Sequence, residues 1–200
     1  MTDPLGQSQV LPYLVGLAKK GHKITLLSCE KKQRFNKYSS IIDKITIHSN
    51  IKWIFIPYTS KPKVISTIYD IFNLINVSKK LHKSEKFDII HCRSYIASFA
   101  GLELKRKFNA KFIFDMRGLW ADERIDGKIW NINNPLFKII YKYFKYKELH
   151  FFNEADYVIS LTQRGKNEIL TWDKIAFNSD KIEVIPCCCD TELFNLSHLA

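Results

Sequence analysis

The sequence contains no apolar run that approaches the roughly 18 residues needed for a membrane-spanning helix, although 46% of its residues are hydrophobic. It also shows no secretory leader, because Met1-Thr2-Asp3-Pro4 provides neither a basic n-region nor an apolar h-region. We therefore expect a globular chain in the cytoplasm. Its 200 residues suit one domain with a substantial core.

Paired metal-ligand motifs are missing as well. The five cysteines are Cys29, Cys92 and the run Cys187-Cys188-Cys189, with no C-x-x-C pairing and no histidine at zinc-ligand spacing. An odd count that includes three adjacent cysteines fits a reducing compartment better than a disulfide framework. We expect no metal site, and we expect the cysteines to be small buried or half-buried residues.

Acidic residues are in short supply relative to basic ones. The 31 Lys and Arg residues against 20 Asp and Glu residues leave a formal net charge of +11. Such an excess favours an anionic partner, which leaves phosphate ligands, nucleic acid and an acidic membrane leaflet open. The sequence contains no helix-turn-helix, zinc or aromatic RNA-binding motif that would support nucleic-acid binding. We therefore expect no nucleic-acid partner.

Strands and helices alternate along the chain. The strands are short continuous apolar runs, which is typical of a doubly wound, mostly parallel Rossmann-like α/β sheet with helices on both faces. Ser8 is predicted to cap the first helix and Gly21 to end it. No strand precedes that helix, so the first strand of the sheet is expected to be missing. The predicted strands are 23–29, 52–57, 87–92, 111–115, 155–160 and 181–186, and the predicted helices are 8–20, 38–44, 64–82, 94–108, 135–153 and 162–172.

The stretch from Ala110 to Arg124 is the first candidate site. Its apolar strand stops at Asp115, and a polar loop rich in carboxylates and guanidinium groups follows. Because the carboxyl ends of parallel strands line the ligand crevice of α/β sheets, chemistry is expected there. The alternative is a solvated loop whose charges pair with one another. The candidate residues in this stretch are Asp115, Arg117, Trp120, Glu123 and Arg124.

Two further segments are candidates for substrate binding. His91 ends a strand beside Arg93, although a histidine in such a place is more often a satisfied core residue. Gly6, Gln7 and Ser8 lie in a loop that leads into a helix, whose N-terminal N–H groups can bind a phosphate. The alternative for this loop is a plain helix cap.

The predicted helix 135–152 is basic and aromatic. Lys138, Lys142 and Lys145 share one face, and aromatic and aliphatic side chains occupy the rest. A helix of this kind can lie on an anionic membrane surface. The alternative is an ordinary amphipathic helix packed on the sheet with a solvated lysine face.

Several segments, in this order, resemble the retaining glycosyltransferases of family 4, which have the GT-B fold. The first of these segments is the Pro-Leu-Gly loop, together with the helix that follows it. The resemblance covers nearly the whole chain. The segments are Asp3-Pro4-Leu5-Gly6-Gln7-Ser8-Gln9, Lys20-Gly21-His22-Lys23-Ile24-Thr25, Asp88-Ile89-Ile90-His91-Cys92-Arg93-Ser94, Phe114-Asp115-Met116-Arg117-Gly118, Ala155-Asp156-Tyr157-Val158-Ile159-Ser160, and Ile185-Pro186 to Asp190-Thr191-Glu192-Leu193-Phe194.

The resemblance implies an acceptor-binding N-terminal domain over 1–186 and the start of an interdomain linker over 187–200. Enzymes of that family move a sugar from a nucleotide-sugar to a glycan or a lipid-linked acceptor, with retention of the anomeric configuration. They use no cofactor besides the nucleotide-sugar co-substrate. The resemblance makes Asp115 the catalytic candidate, and it implies substrate binding by Gly6, Gln7, Ser8, His91, Arg93, Arg117, Trp120 and Glu123. The donor-binding domain lies outside this sequence, so the isolated chain is expected to be inactive.

The chain departs from the family pattern in one turn, where Cys187-Cys188-Cys189 stands in place of the usual Asn-Gly. A second function also stays open from the sequence. It is a basic Rossmann-like module that binds anionic lipid or nucleic acid without catalysis. In either case a peripheral position on the inner face of the plasma membrane is an alternative to a freely cytoplasmic one.

Overall fold

The computed structural model describes residues 1–188. The chain divides into two compact units. One contains Met1–Asn73 together with the segment from Cys187, and the other contains Leu74–Pro186. No helix in the described residues combines the length and the apolar character needed to cross a bilayer.

The first unit is built on two parallel strands. Strand β1 (Ile24–Glu30) pairs with β2 (Ile51–Pro57), in a register that runs from Ile24 opposite Ile51 to Glu30 opposite Pro57. Helix α1 (Leu11–Lys19) and helix α2 (Lys32–His48) both contact β2. Helix α3 (Lys63–Glu85) begins in this unit.

The first helix begins earlier than predicted, so the assignment of Ser8 as its cap is wrong. The carboxylate of Asp3 accepts hydrogen bonds from the N–H groups of Leu5 and Gly6, and Ser8 lies inside the helix with its Oγ donating to the carbonyl of Pro4. The segment Gly6–Val10 is π-helical and leads directly into α1. The predicted helix end is confirmed, because Gly21 has φ +91° and its N–H donates to the carbonyl of Ala18.

Helix α2 is much longer than the predicted 38–44 segment. Its buried stripe is short of large apolar residues, since Ile42 and Thr46 are its buried members. Thr46 is accommodated because its Oγ1 donates to the carbonyl of Ile42. Phe35 adds to the stripe by packing against Trp53 and Phe55 of β2. The polar composition of 30–40 therefore hid a helix that tertiary contacts stabilise.

The second unit contains a four-stranded parallel sheet in the order β3-β4-β5-β6. Helices α4, α6 and α7 lie against its strands. Helix α5, which the sequence did not predict, follows β4 where a loop was expected. The elements are β3 (Ile89–Arg93), α4 (Ser94–Phe108), β4 (Lys111–Asp115), α5 (Trp120–Asp126), α6 (Pro135–Glu154), β5 (Tyr157–Ser160), α7 (Gln163–Leu170), a 3₁₀ turn (Ser179–Lys181) and β6 (Ile182–Val184).

The core of this unit lies on one face of the sheet. Phe114 is opposite Val158, and Val158 is opposite Ile182, so these side chains point to the same side. All three are buried. Helix α4 approaches the sheet closely at Gly101, where an added Cβ would lie 2.5 Å from the Phe112 ring and 2.6 Å from the Cys92 sulfur.

At the amino end of the sheet, the carboxylate of Asp156 ties three segments together. Its Oδ2 accepts hydrogen bonds from Lys105 Nζ at 2.6 Å and from the N–H of Phe112 at 2.9 Å, and its Oδ1 accepts from Lys111 Nζ at 3.1 Å. Burial alone would raise the pKa of Asp156, but these hydrogen bonds outweigh it and lower that pKa to about 2. The carboxylate is therefore a structural one.

The α/β class, the parallel pairing and the presence of helices on both faces are confirmed. The strands form two sheets rather than one, since within residues 1–188 β1 pairs with β2 alone and β3 with β4 alone. Among the cysteines, Cys92 is buried and Cys29 half-buried as predicted, whereas Cys187 and Cys188 are exposed. The described residues contain no group of three His, Cys, Asp or Glu placed to hold a metal ion.

Candidate active site

The candidate site lies where β3 and β4 end. Arg93 is directly opposite Asp115 in the parallel register, so both side chains point to the same face of the sheet. His91 is two residues before Arg93 and shares that face. Ile89 and His91 are exposed while Cys92 on the other face is buried, so this is the more open side of β3.

The three side chains meet at one carboxylate oxygen. His91 Nε2 lies 3.5 Å from Asp115 Oδ2, and Arg93 Nη1 lies 3.8 Å from the same oxygen. The Asp115 side chain is 7% exposed and the His91 side chain 46%. The second oxygen, Asp115 Oδ1, is buried and has no hydrogen-bond partner among the described residues. A molecule entering from solvent therefore meets His91 first, with Asp115 behind it.

The backbone on both sides of this cluster adopts conformations that are rare for side-chain-bearing residues. Ser94 has φ +70° directly after β3, and Arg117 has φ +61° two residues after β4. Each such residue costs roughly 1 to 3 kcal/mol and persists where the surrounding structure holds it, which is common at functional sites. At Gly118 a Cβ would collide with Glu123 Oε1, so the Glu123 carboxylate lies against this glycine.

The structure places Trp120 in a packed aromatic cluster, where it is half-buried, and its predicted substrate-binding role remains a prediction. Its ring stacks on Tyr95 at 5.8 Å between centroids and also contacts Trp130 and Phe144. The guanidinium of Arg124 lies over the same ring at 4.8 Å. These contacts fix the position of α5.

The alternative interpretation is that the charges of the loop pair with one another. For Asp122 the structure shows partners outside the loop instead. Its Oδ2 accepts a hydrogen bond from Lys145 Nζ at 2.8 Å, and its Oδ1 accepts one from the Tyr141 hydroxyl at 2.8 Å. Both partners belong to α6. Lys145 is therefore turned towards α5, and the predicted solvated face of three lysines loses this member.

Lys145 also pairs with Glu148, whose carboxylate accepts a hydrogen bond from the Tyr95 hydroxyl. Glu148 is fully buried, and burial raises its pKa despite the hydrogen bonds that oppose the shift. For Lys145, burial acts to lower the pKa, but the hydrogen bonds to Asp122 and Glu148 outweigh it and raise the pKa. Sequence reasoning missed Tyr95 and Glu148. The available signal was a carboxylate four residues after Phe144, on the apolar face of α6.

Gly6, Gln7 and Ser8 belong to the first unit. The N–H of Gly6 already donates to Asp3, and the Gln7 side chain donates to the carbonyl of Thr2 at 3.0 Å. The helix N-terminus thus carries its own carboxylate, and these N–H groups are not open to a phosphate in the way the sequence suggested. A substrate-binding role for the three residues remains a prediction.

The model of Glycosyltransferase Family 4 matches residues 9–193. The chain belongs to glycosyltransferase family 4. No curated protein matches this family 4 domain. A solved structure that it resembles, from Listeria monocytogenes and described as a UDP-N-acetylglucosamine 2-epimerase, has 15% sequence identity and a TM-score of 0.46. The match covers 82% of the family 4 domain and 45% of that protein, so the chain spans about half the length of that relative.

Of the sequence landmarks of the family 4 domain, the structure brings together those at the ends of β3 and β4. The landmark Asp190 to Phe194 lies outside the described residues. The cluster joins an accessible imidazole to a buried carboxylate and a guanidinium group. This combination can orient a hydroxyl group, accept its proton and hold a nearby negative charge.

Proposed function

We propose that this chain is the acceptor-binding half of a glycosyltransferase that moves a sugar from a nucleotide-sugar to a glycan or lipid-linked acceptor. The transfer proceeds with retention and serves bacterial surface polysaccharide synthesis. The observation that carries the proposal is the buried Asp115 carboxylate, which contacts His91 and Arg93 at adjacent strand ends of a family 4 domain.

In the proposed step, the acceptor hydroxyl oxygen bonds to the anomeric carbon. The bond from that carbon to the diphosphate oxygen breaks, and the diphosphate leaves with the electron pair. The hydroxyl proton passes to His91, since His91 is the accessible member of the cluster. Its Nε2 faces Asp115, so Nδ1 is the nitrogen that meets the acceptor. Asp115 then acts through His91 by stabilising the imidazolium.

The arginines have a complementary role in this proposal. Arg93 lies beside Asp115, and Arg117 follows the strand end in a constrained backbone conformation. A planar guanidinium group recognises phosphate or carboxylate oxygens through paired N–H groups. We assign both arginines to the charged part of the substrate. Glu123, held against Gly118, is assigned to substrate hydroxyl groups near the same loop.

The test uses a protein that joins this domain to its donor-binding domain, with labelled nucleotide-sugars and membrane extract as the acceptor source. His91→Gln is expected to lower kcat by about 100-fold or more, which is the usual contribution of a positioned acid–base group. Asp115→Asn is expected to lower kcat by at least about tenfold. The control is Asp173→Asn, an exposed residue after α7.

Two results would contradict this proposal. An unchanged kcat in both variants would remove the cluster from the reaction. Sugar transfer by the 200-residue chain alone would refute the assignment as half of an enzyme, because a site that serves both substrates would then lie in this chain.

The proposal includes a peripheral contact with an anionic membrane on the inner face of the plasma membrane, through the 135–152 helix. A lipid-linked acceptor would be reached most directly by a domain held at that surface. The alternative of a module that binds lipid without catalysis shares this contact and lacks the transfer reaction. The assay above separates the two.

A further inference from the structure

The outward surface of α6 is apolar rather than basic. Leu136, Ile139, Tyr143 and Tyr146 are all exposed, and their spacing of three and four residues places them in one stripe along the helix. The opposite side of α6 carries Phe144, Glu148, Phe151 and Phe152, which are buried. A helix that is apolar on its outer as well as its inner side is usually covered on both.

Lysines flank this outer stripe on both sides. By helical geometry Lys138 and Lys142 lie on one flank, and both are exposed. Lys147 lies on the other flank, with its ammonium 5.7 Å from the centre of the Tyr143 ring and 5.9 Å from that of Tyr146. The apolar stripe thus has positive charge along both edges.

Among the residues of α6, no carboxylate offsets this charge on the outer side of the helix. On the flank of Lys142, Glu168 and Asp173 lie across a cavity that Lys142 and Tyr146 also line. The acidic residues of α6 are Glu148, which is fully buried, and Glu154, which pairs with Arg106 near the helix end. The segment that leads into α6 adds exposed Ile129 and Ile132 and the exposed Lys128, again without an acid from residue 127 to 147. The surface is therefore apolar in its centre and positive at its rim.

This pattern distinguishes among the possible occupants. A second copy of the chain would bring lysine rims against lysine rims. Nucleic acid would satisfy the lysines but would leave aliphatic Leu136 and Ile139 in water. A bilayer surface with anionic lipids accommodates the aliphatic, aromatic and basic side chains of this face together. Aliphatic groups enter the acyl boundary, tyrosines lie at the headgroup level, and lysines contact lipid phosphates.

We propose that the outer face of α6, defined by Leu136, Ile139, Tyr143 and Tyr146 with the flanking Lys138, Lys142 and Lys147, docks on an anionic lipid bilayer. The helix lies parallel to the surface, and the buried side of α6 remains packed on its own unit. This inference rests on the membrane contact in the proposed function and names the residues that make it. It does not depend on the sugar-transfer reaction.

The test is co-sedimentation of the 200-residue chain with vesicles of phosphatidylcholine containing 30% phosphatidylglycerol, and with vesicles of phosphatidylcholine alone. Binding is expected to the anionic vesicles and to weaken at high salt. Ile139→Glu is expected to weaken it by about tenfold or more. The variant Lys138→Gln with Lys142→Gln is expected to weaken it by about 25-fold, which corresponds to about fivefold for each lysine.

The matched controls lie on α2. Ile47 is 74% exposed, compared with 66% for Ile139, and Ile47→Glu makes the same chemical change on a helix of the other unit. Lys32→Gln with Lys44→Gln removes the same charge from exposed positions. Binding that is absent, or reduced equally by the α6 and α2 variants, would overturn the proposal. So would a concentration-dependent dimer that Ile139→Glu abolishes, because the stripe would then bind a second copy.

Failure here is distinguishable from failure of the proposed function. Ile139 and the flanking lysines make none of the contacts of the His91 and Asp115 cluster. Loss of vesicle binding with intact dependence of transfer on His91 would refute only the docking surface. Intact vesicle binding with transfer that is independent of His91 would refute only the catalytic assignment.

Discussion

Substituting Asp156 tests how the second unit is held together. In Asp156→Ala the buried N–H of Phe112 loses its acceptor, and Lys105 and Lys111 lose their common partner. An unsatisfied buried N–H costs about 1 to 3 kcal/mol. With the loss of the charge-assisted bonds, we expect the free energy of unfolding to fall by about 2 to 4 kcal/mol. Asp156→Asn keeps an acceptor for Phe112 and should cost about half as much.

The lowered pKa of Asp156 determines how its contribution to stability changes with pH. The pKa of Asp156 is lowered from 3.8 to about 2 in the folded chain. The carboxylate therefore adds stability that is complete above about pH 5 and declines as the pH falls towards 2. The shift corresponds to about 2 kcal/mol, of which roughly half remains at pH 3. The stability gap between the wild-type chain and Asp156→Asn should shrink over this range.

The assay is urea unfolding followed by circular dichroism at pH 7, 5, 4 and 3, with Asp173→Asn as the exposed control. The result that refutes the reasoning is a gap that stays constant from pH 7 to pH 3. Such a gap would mean that the substitution acts through packing and not through the charge of the carboxylate. Wild-type stability for Asp156→Ala at pH 7 would refute the structural role altogether.

Three further predictions concern close packing and burial within the two units. Gly101→Ala should lower the midpoint of thermal unfolding despite better helix propensity, since overpacking costs about 1 to 3 kcal/mol; a higher midpoint would contradict the close approach of α4. Tyr95→Phe should cost about 1 to 3 kcal/mol in urea unfolding because it leaves the buried Glu148 carboxylate with one partner fewer, and an unchanged midpoint would argue against that bond. Burial raises the pKa of Cys29 to about 11 and that of Cys92 to about 12, so neither thiol should react with a thiol reagent at pH 8. If the substitution Cys29→Ala or Cys92→Ala lowered the number of rapidly reacting thiols by one, this prediction would be wrong.

The strand that ends at Asp115 was predictable because its signal is local. A continuous apolar run followed by charge indicates a buried strand and its carboxyl end, and the structure places β4 at the predicted residues. Helix α4 was found for a similar reason, since its apolar spacing is regular from Ser94 to Phe108. The pairing of Arg93 with Asp115 follows from parallel register once the two strands are adjacent.

The parts that escaped prediction depend on contacts between distant segments. Helix α5 has seven residues and is stabilised by Trp120 packing on Tyr95, which lies 25 positions earlier. Glu148 is charged in sequence and buried in structure, because Lys145 and Tyr95 converge on it. Neither arrangement has a periodicity that could be detected in one segment.

The α6 surface also has a consequence for how the chain behaves in solution. The outer stripe of α6 is apolar and favours self-association. The lysines along its edges and the net charge of +11 oppose this, because like charges on two copies of the chain repel each other. Added salt screens that repulsion over about 10 Å at 0.1 M and about 3 Å at 1 M. The colloidal stability of the chain is therefore electrostatic in origin, and concentrated stocks should be kept at low ionic strength.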